Sequence, residues 1–136
     1  MSTEGSCACG DIKISYEGEP AGSALCHCTD CRKITGSAFS SNYVIPDDKF
    51  KLESGKPHEW AKTADSGNTM TSFLCSNCGS TMWRSSTKAP GVKFVKVGVL
   101  EGDKLVKQKW DNELYVPRRV PWVPEQKGAT QIEGMM

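Results

Sequence analysis

Cys26-His27-Cys28-Thr29-Asp30-Cys31 sets three cysteines at CxCxxC spacing and runs straight into Arg32-Lys33 and the small, polar turn Thr35-Gly36-Ser37. Three thiolates can hold one zinc ion and leave a coordination position free, as a catalytic zinc requires, whereas a structural zinc is closed by four protein ligands. The chain has seven cysteines. The other four are Cys7 and Cys9, in a CxC, and Cys75 and Cys78, in a CxxC followed by Gly79, enough for one complete tetrahedral set. Seven divides naturally into four plus three. Spacing alone leaves the pairing open, because Cys75 and Cys78 could equally complete a site with the central motif.

Blander readings stand beside these. The first four cysteines could be buried free thiols, and the central three could form a second closed zinc site whose fourth ligand is His27 or His58. In an extended segment the ring of His27 points away from its two cysteine neighbours, which favours a supporting polar contact over ligation. His58, in a polar segment, is expected to be exposed. Arg32 and Lys33 could face an anionic substrate, although solvated surface charge is the commoner role. Asp30, Ser37 and His27 are candidates for proton transfer by proximity. Three anionic sulfurs outweigh the double charge of zinc, which weakens its Lewis acidity and favours sulfur chemistry over hydrolysis.

The elements that must position these groups are mostly short strands. Ile12, Ile14 and Tyr16 alternate with polar residues directly after Gly10; further strands are expected over 38–44, 50–53, 58–63, 70–74 and 94–100. Thr29 or Asp30 is the expected cap of a short helix through Cys31-Arg32-Lys33-Ile34, ended by Gly36. Asp65-Ser66-Gly67-Asn68 is a hairpin-turn signal. The segment after Lys104, with Trp110, Tyr115, Trp122 and several prolines, is expected to wrap over the sheet as an irregular tail. Trp60, Trp83, Trp110 and Trp122 are expected to anchor core or tail. The class is mainly β.

Composition sets outer bounds. A chain of 136 residues without low-complexity segments is expected to form one domain over 1–136. Hydrophobic content of 38% with 24% charged residues is that of a globular protein, and no apolar run approaches the roughly 18 residues of a membrane-spanning helix. Met1 to Gly10 offers no apolar stretch for a signal peptide, so a reducing, cytoplasmic compartment is expected, where cysteines serve metals rather than disulfides. A formal charge of +1 gives no bulk attraction to nucleic acid or to anionic membranes.

The order CxCG, CHCTDCRKITGSAFS, FLCSNCGSTMW and then a VGVL strand resembles the glutathione-dependent formaldehyde-activating domain, also found in centromere protein V. The resemblance covers nearly the whole chain. It implies a small zinc-bound domain of several coiled antiparallel β-sheets, with a structural zinc on Cys7, Cys9, Cys75 and Cys78 and a catalytic zinc on Cys26, Cys28 and Cys31, two ions per chain. It further implies a carbon–sulfur lyase that condenses formaldehyde with glutathione to S-hydroxymethylglutathione. The alternative is a non-catalytic, zinc-stabilised binding module, as the centromere relation allows. A chromatin or filament binder is expected to carry a basic tail, which this sequence does not show.

Overall fold

Alternation of apolar and polar residues favours strands in several stretches of the chain. The computed structural model describes residues 1–64 and 67–135 and arranges the strands in two sheets. The smaller is antiparallel, in the order β1 (Ser2–Ser6), β2 (Lys13–Glu17) and β5 (Phe50–Ser54). The larger runs β11 (Thr130–Gln131), β10 (Asn112–Leu114), β3 (Gly22–Cys26), β4 (Ser40–Pro46), β9 (Val92–Lys96), β8 (Thr81–Ser86), β7 (Thr69–Leu74) and β6 (His58–Thr63). Two short α-helices, α1 (Thr29–Thr35) and α2 (Lys104–Lys107), and three single 3-10 turns join the strands among the described residues. The mainly β class holds.

The two-residue period of a strand gives the large sheet two different faces. One face carries Tyr43, Ile45, Val95 and Trp83 into a core shared with Ile12, Ile14 and Tyr16 of the small sheet. Trp83 stacks on Phe73 with ring centroids 4.7 Å apart and meets Phe50 at 4.8 Å. A bulge opposite Phe73 and Leu74 lets the consecutive residues Met82 and Trp83 both turn inward. The opposite face carries Ala24, Asn42 and Lys96 in one row, and Phe94 beside Arg84 in the next. That second face carries the chemistry.

Three expectations change, and one strand joins that the sequence pattern did not signal. The segment after Lys104 is not wholly irregular: β10 and β11 run parallel to β3 and satisfy its outer edge, although three- and two-residue strands are too short to show a period. The strand expected over 94–100 stops at Lys96, where Val97–Val99 tightens into a 3-10 turn around Gly98. Trp83 and Trp110 pack as anchors, but Trp60 is 48% exposed on edge strand β6 and Trp122 is 76% exposed. Finally, Ser2–Ser6 pairs with β2, although its polar sequence carries no strand pattern. His58 is exposed on β6, as expected. The hairpin turn falls partly on residues 65 and 66, which lie outside the described residues; the strands it joins, β6 and β7, pair antiparallel.

Candidate metal centre

Cys7 and Cys9 lie between β1 and β2, and Cys75 and Cys78 follow β7; all four sulfurs lie within 4.8 Å of one another. Cys75 and Cys78 therefore pair with the first CxC, not with the central motif. The Cys7–Cys9 and Cys9–Cys75 sulfurs are 3.6 Å apart. A tetrahedron with metal–sulfur bonds of about 2.3 Å has edges of about 3.8 Å, whereas a disulfide needs about 2.05 Å. The spacing fits a metal. Gly10 and Gly79 adopt φ of 85° and 78°, left-handed values that turn each cysteine pair back on itself without a Cβ clash. Backbone N–H groups of Ile12 and Cys78 reach the sulfurs of Cys7 and Cys75 at 3.2 and 3.4 Å. Such donors favour thiolate. The Ser80 hydroxyl, 3.2 Å from the Cys78 sulfur, helps hold that thiol down to about 5.

The central trio is built by the junction of β3 and α1. Cys26 ends the strand, Cys28 caps the helix by accepting the Cys31 N–H at 3.2 Å, and Cys31 sits buried in the first turn. The cap is thus Cys28 rather than Thr29 or Asp30, while Gly36 ends the helix as expected, in a left-handed conformation. The three sulfurs lie within 4.8 Å of one another, and no histidine, carboxylate or fourth cysteine joins them among the described residues. Hydrogen bonds from Cys26 and Cys28 hold the Cys31 thiol far below its usual range, and the bonds to Cys28 and Cys31, with burial, push Cys26 far above it. Three crowded thiols cannot all ionise alone; a divalent cation removes that penalty. Both sulfur sets are therefore fit to hold a metal ion, and an all-sulfur tetrahedral donor set suits zinc.

His27 is fully buried, and its Nε2 lies 2.8 Å from Glu113 Oε1. The ring supports the motif instead of ligating. Glu113, on β10, is a residue the sequence reading did not single out. Burial pushes its carboxyl up, but donors from the Gln126 N–H and the Gln131 amide, both at 2.8 Å, with His27 and Arg119, outweigh that and hold it below the usual carboxylate range. Glu113→Ala strands all these donors and is expected to cost about 3–5 kcal/mol in urea unfolding. The carboxylate's contribution is complete above its unfolded pKa and lost as pH falls through the lower folded value, so the parent should weaken below about pH 4 and Glu113→Gln should flatten that dependence. Parallel acid melts of parent and variant would expose a mistake here.

The central trio opens on a cavity of about 310 Å³ whose walls include Asp30, Arg84, Lys96 and Tyr115. Ser37, Arg32 and Lys33 are not among the lining residues; the two cations near in sequence take the commoner surface role. Lys96 and Arg84 were invisible as site residues because they come from strands far along the chain. Tyr115 is the one non-glycine residue at positive φ among the described residues, at 55°. For a bulky side chain such a conformation costs roughly 1–3 kcal/mol and tends to cluster at functional sites.

A family model described as glutathione-dependent formaldehyde-activating enzyme matches residues 2–118. The chain belongs to this family. The match spans both cysteine sets, Arg84, Lys96, Glu113 and Tyr115, and ends before β11. Among solved structures, the chain is similar to a protein from Rhodobacter sphaeroides at 22% identity, over 73% of this chain and 88% of that one, with a TM-score of 0.57. That likeness concerns the fold alone. In this chain the two faces of the large sheet separate tasks, one packing the core and the other walling the cavity at the central trio. No helix among the described residues is long and apolar enough to cross a membrane.

Proposed function

We propose that this chain is a zinc-dependent carbon–sulfur lyase-like enzyme that joins a small carbonyl compound to a thiol, with formaldehyde and glutathione as the pair that the family description suggests. Cys26, Cys28 and Cys31 hold the catalytic zinc; Cys7, Cys9, Cys75 and Cys78 hold the structural one. The observation that carries this reading is the unequal setting of the two sulfur groups: four close on themselves, while three line a cavity. Bound at the trio, zinc supplies a Lewis acid tempered by three anionic sulfurs, suited to sulfur chemistry. In the reaction the thiol sulfur bonds the carbonyl carbon, the carbonyl π pair moves to oxygen, and the thiol proton ends on that oxygen. Nothing is oxidised or reduced.

The chain's own groups divide the remaining work. Of the three proton-transfer candidates only Asp30 lies on the cavity wall, where Lys62 holds it at 2.9 Å, so Asp30 is the group placed to carry the proton. His27 and Glu113 fix the motif from behind. The reading takes residues 1–136 as one domain working in the cytoplasm, with no nucleic-acid or membrane partner.

Cobalt(II) accepts similar sulfur sites and makes the expectation visible. Absorption from the central cobalt should change when glutathione is added, while the four-cysteine cobalt stays silent. A spectrum that no thiol moves would favour the second reading, a zinc-stabilised binding module, for which the exposed Trp60 on edge strand β6 speaks.

A further inference from the structure

The cavity face of the large sheet carries two buried cations that the metal chemistry does not consume. Arg84 on β8 is 3% exposed; its Nε donates to Ser72 Oγ at 2.9 Å, and its Nη2 is buried with no hydrogen-bond partner among the described residues. Lys96 on β9 is 7% exposed and donates to Asn42 Oδ1 at 2.7 Å. Neither forms an ion pair among the described residues. The register makes them diagonal neighbours, since Arg84 lies opposite Phe94, two residues before Lys96 on the same face. Each charge makes the other harder to bury, and burial already lowers the Lys96 ammonium.

A charge count shows what is missing. Lys96 feels the three cysteine sulfurs, and zinc on the three thiolates would carry a net charge of −1 before a thiol joins it, enough to balance one cation. Asp30 is spent on Lys62, and Lys88 at the cavity rim is exposed to water. One buried positive charge is left over. An uncompensated buried cation is costly, and a buried guanidinium N–H without an acceptor adds to that cost. Arginine offers a planar fork shaped for carboxylate.

We infer that Arg84, assisted by Lys96, is a carboxylate-binding subsite, so that the thiol taken by this cavity is a small mercapto-carboxylate bound with its carboxylate inside. Because both cations are nearly sealed from solvent, the anion they meet is on the buried part of the ligand, within the same cavity as the trio. The thiol half of this inference rests on the open metal position proposed above; the carboxylate half does not.

Mercaptoacetate and 2-mercaptoethanol are close in size and differ in charge, which makes them the deciding pair. With cobalt at the central site, mercaptoacetate should bind about ten-fold or more tightly than 2-mercaptoethanol, the preference expected of a charge-assisted hydrogen bond. Arg84→Gln should bring the two to parity by weakening mercaptoacetate alone, and Arg84→Lys, which keeps the charge but loses the fork, should retain part of the preference. In the zinc-loaded parent, the Arg84 guanidinium signals in nitrogen-15 spectra should move with mercaptoacetate and with plain acetate, but not with 2-mercaptoethanol. Equal cobalt responses to both thiols would overturn the subsite and leave the open metal position standing. A cobalt spectrum silent to both thiols, with acetate still moving Arg84, would sink the open position and keep the subsite. If no carboxylate moves Arg84, the subsite is refuted whichever variant folds.

Discussion

Cys75→Ser is expected to leave the purified protein without a cooperative thermal transition at any zinc concentration that saturates the parent. Cys75 and Cys7 are 2% and 3% exposed and belong to the same core cluster as Trp83, Val95 and Ile14. Their set also links the loop between β1 and β2 to the end of β7, and so ties the small sheet to the large one. Apparent zinc binding in small structural sites contributes roughly 10–16 kcal/mol at neutral pH, against a net stability of about 5–15 kcal/mol for a whole domain. Loss of even half that contribution would leave little native state. The serine hydroxyl adds a buried polar group where sulfur had been a ligand, so no compensation is available nearby. Circular dichroism melts with elemental analysis provide the check. A variant that melts like the parent would mean that the four-cysteine set does not hold the fold together.

The two metal sets differ in how far the sequence alone exposes them. CxCxxC is complete within six residues, and a strand end followed by a helix turn brings its sulfurs together locally, so the trio is legible as a unit. The four-cysteine set joins residues some seventy positions apart, and spacing could not decide its partners; the family resemblance did, and the sulfur distances agree with it. Lys96 stands in Val92-Lys93-Phe94-Val95-Lys96, where the two-residue period sets it on one face with Val92 and Phe94 and sets Lys93 on the other with Val95, so the run shows no polar side. The face that holds Lys96 meets the cavity, with Phe94 beside it. Periodicity reports that two faces differ, not what covers them. The same limit hid Glu113, whose strand of three residues gains its place only by pairing with β3. It also misled on Trp60: size argues for burial, yet β6 is the last strand of its sheet and leaves Trp60 48% exposed.

Cys28→Ser should do the opposite of Cys75→Ser: keep the fold and lose the reaction. Cys28 is the N-cap of α1, and its sulfur accepts the Cys31 N–H at 3.2 Å. Serine is among the preferred N-cap residues and its oxygen can take over that bond, so the helix keeps its start, with a stability change of no more than about 1 kcal/mol from the cap itself. The metal does not survive as easily. A neutral hydroxyl replaces one of three thiolates, and even residues that merely orient ligands are worth about 10–100-fold in metal affinity or activity, so removal of a ligand should cost at least about 100-fold in the proposed joining of a carbonyl compound to a thiol. Zinc content should fall by one ion per chain relative to the parent, while the thermal midpoint moves by only a few degrees. Activity that persists with one zinc would place the chemistry elsewhere. Unfolding as severe as that of Cys75→Ser would make the trio a second structural site, and the open position would then have no catalytic meaning.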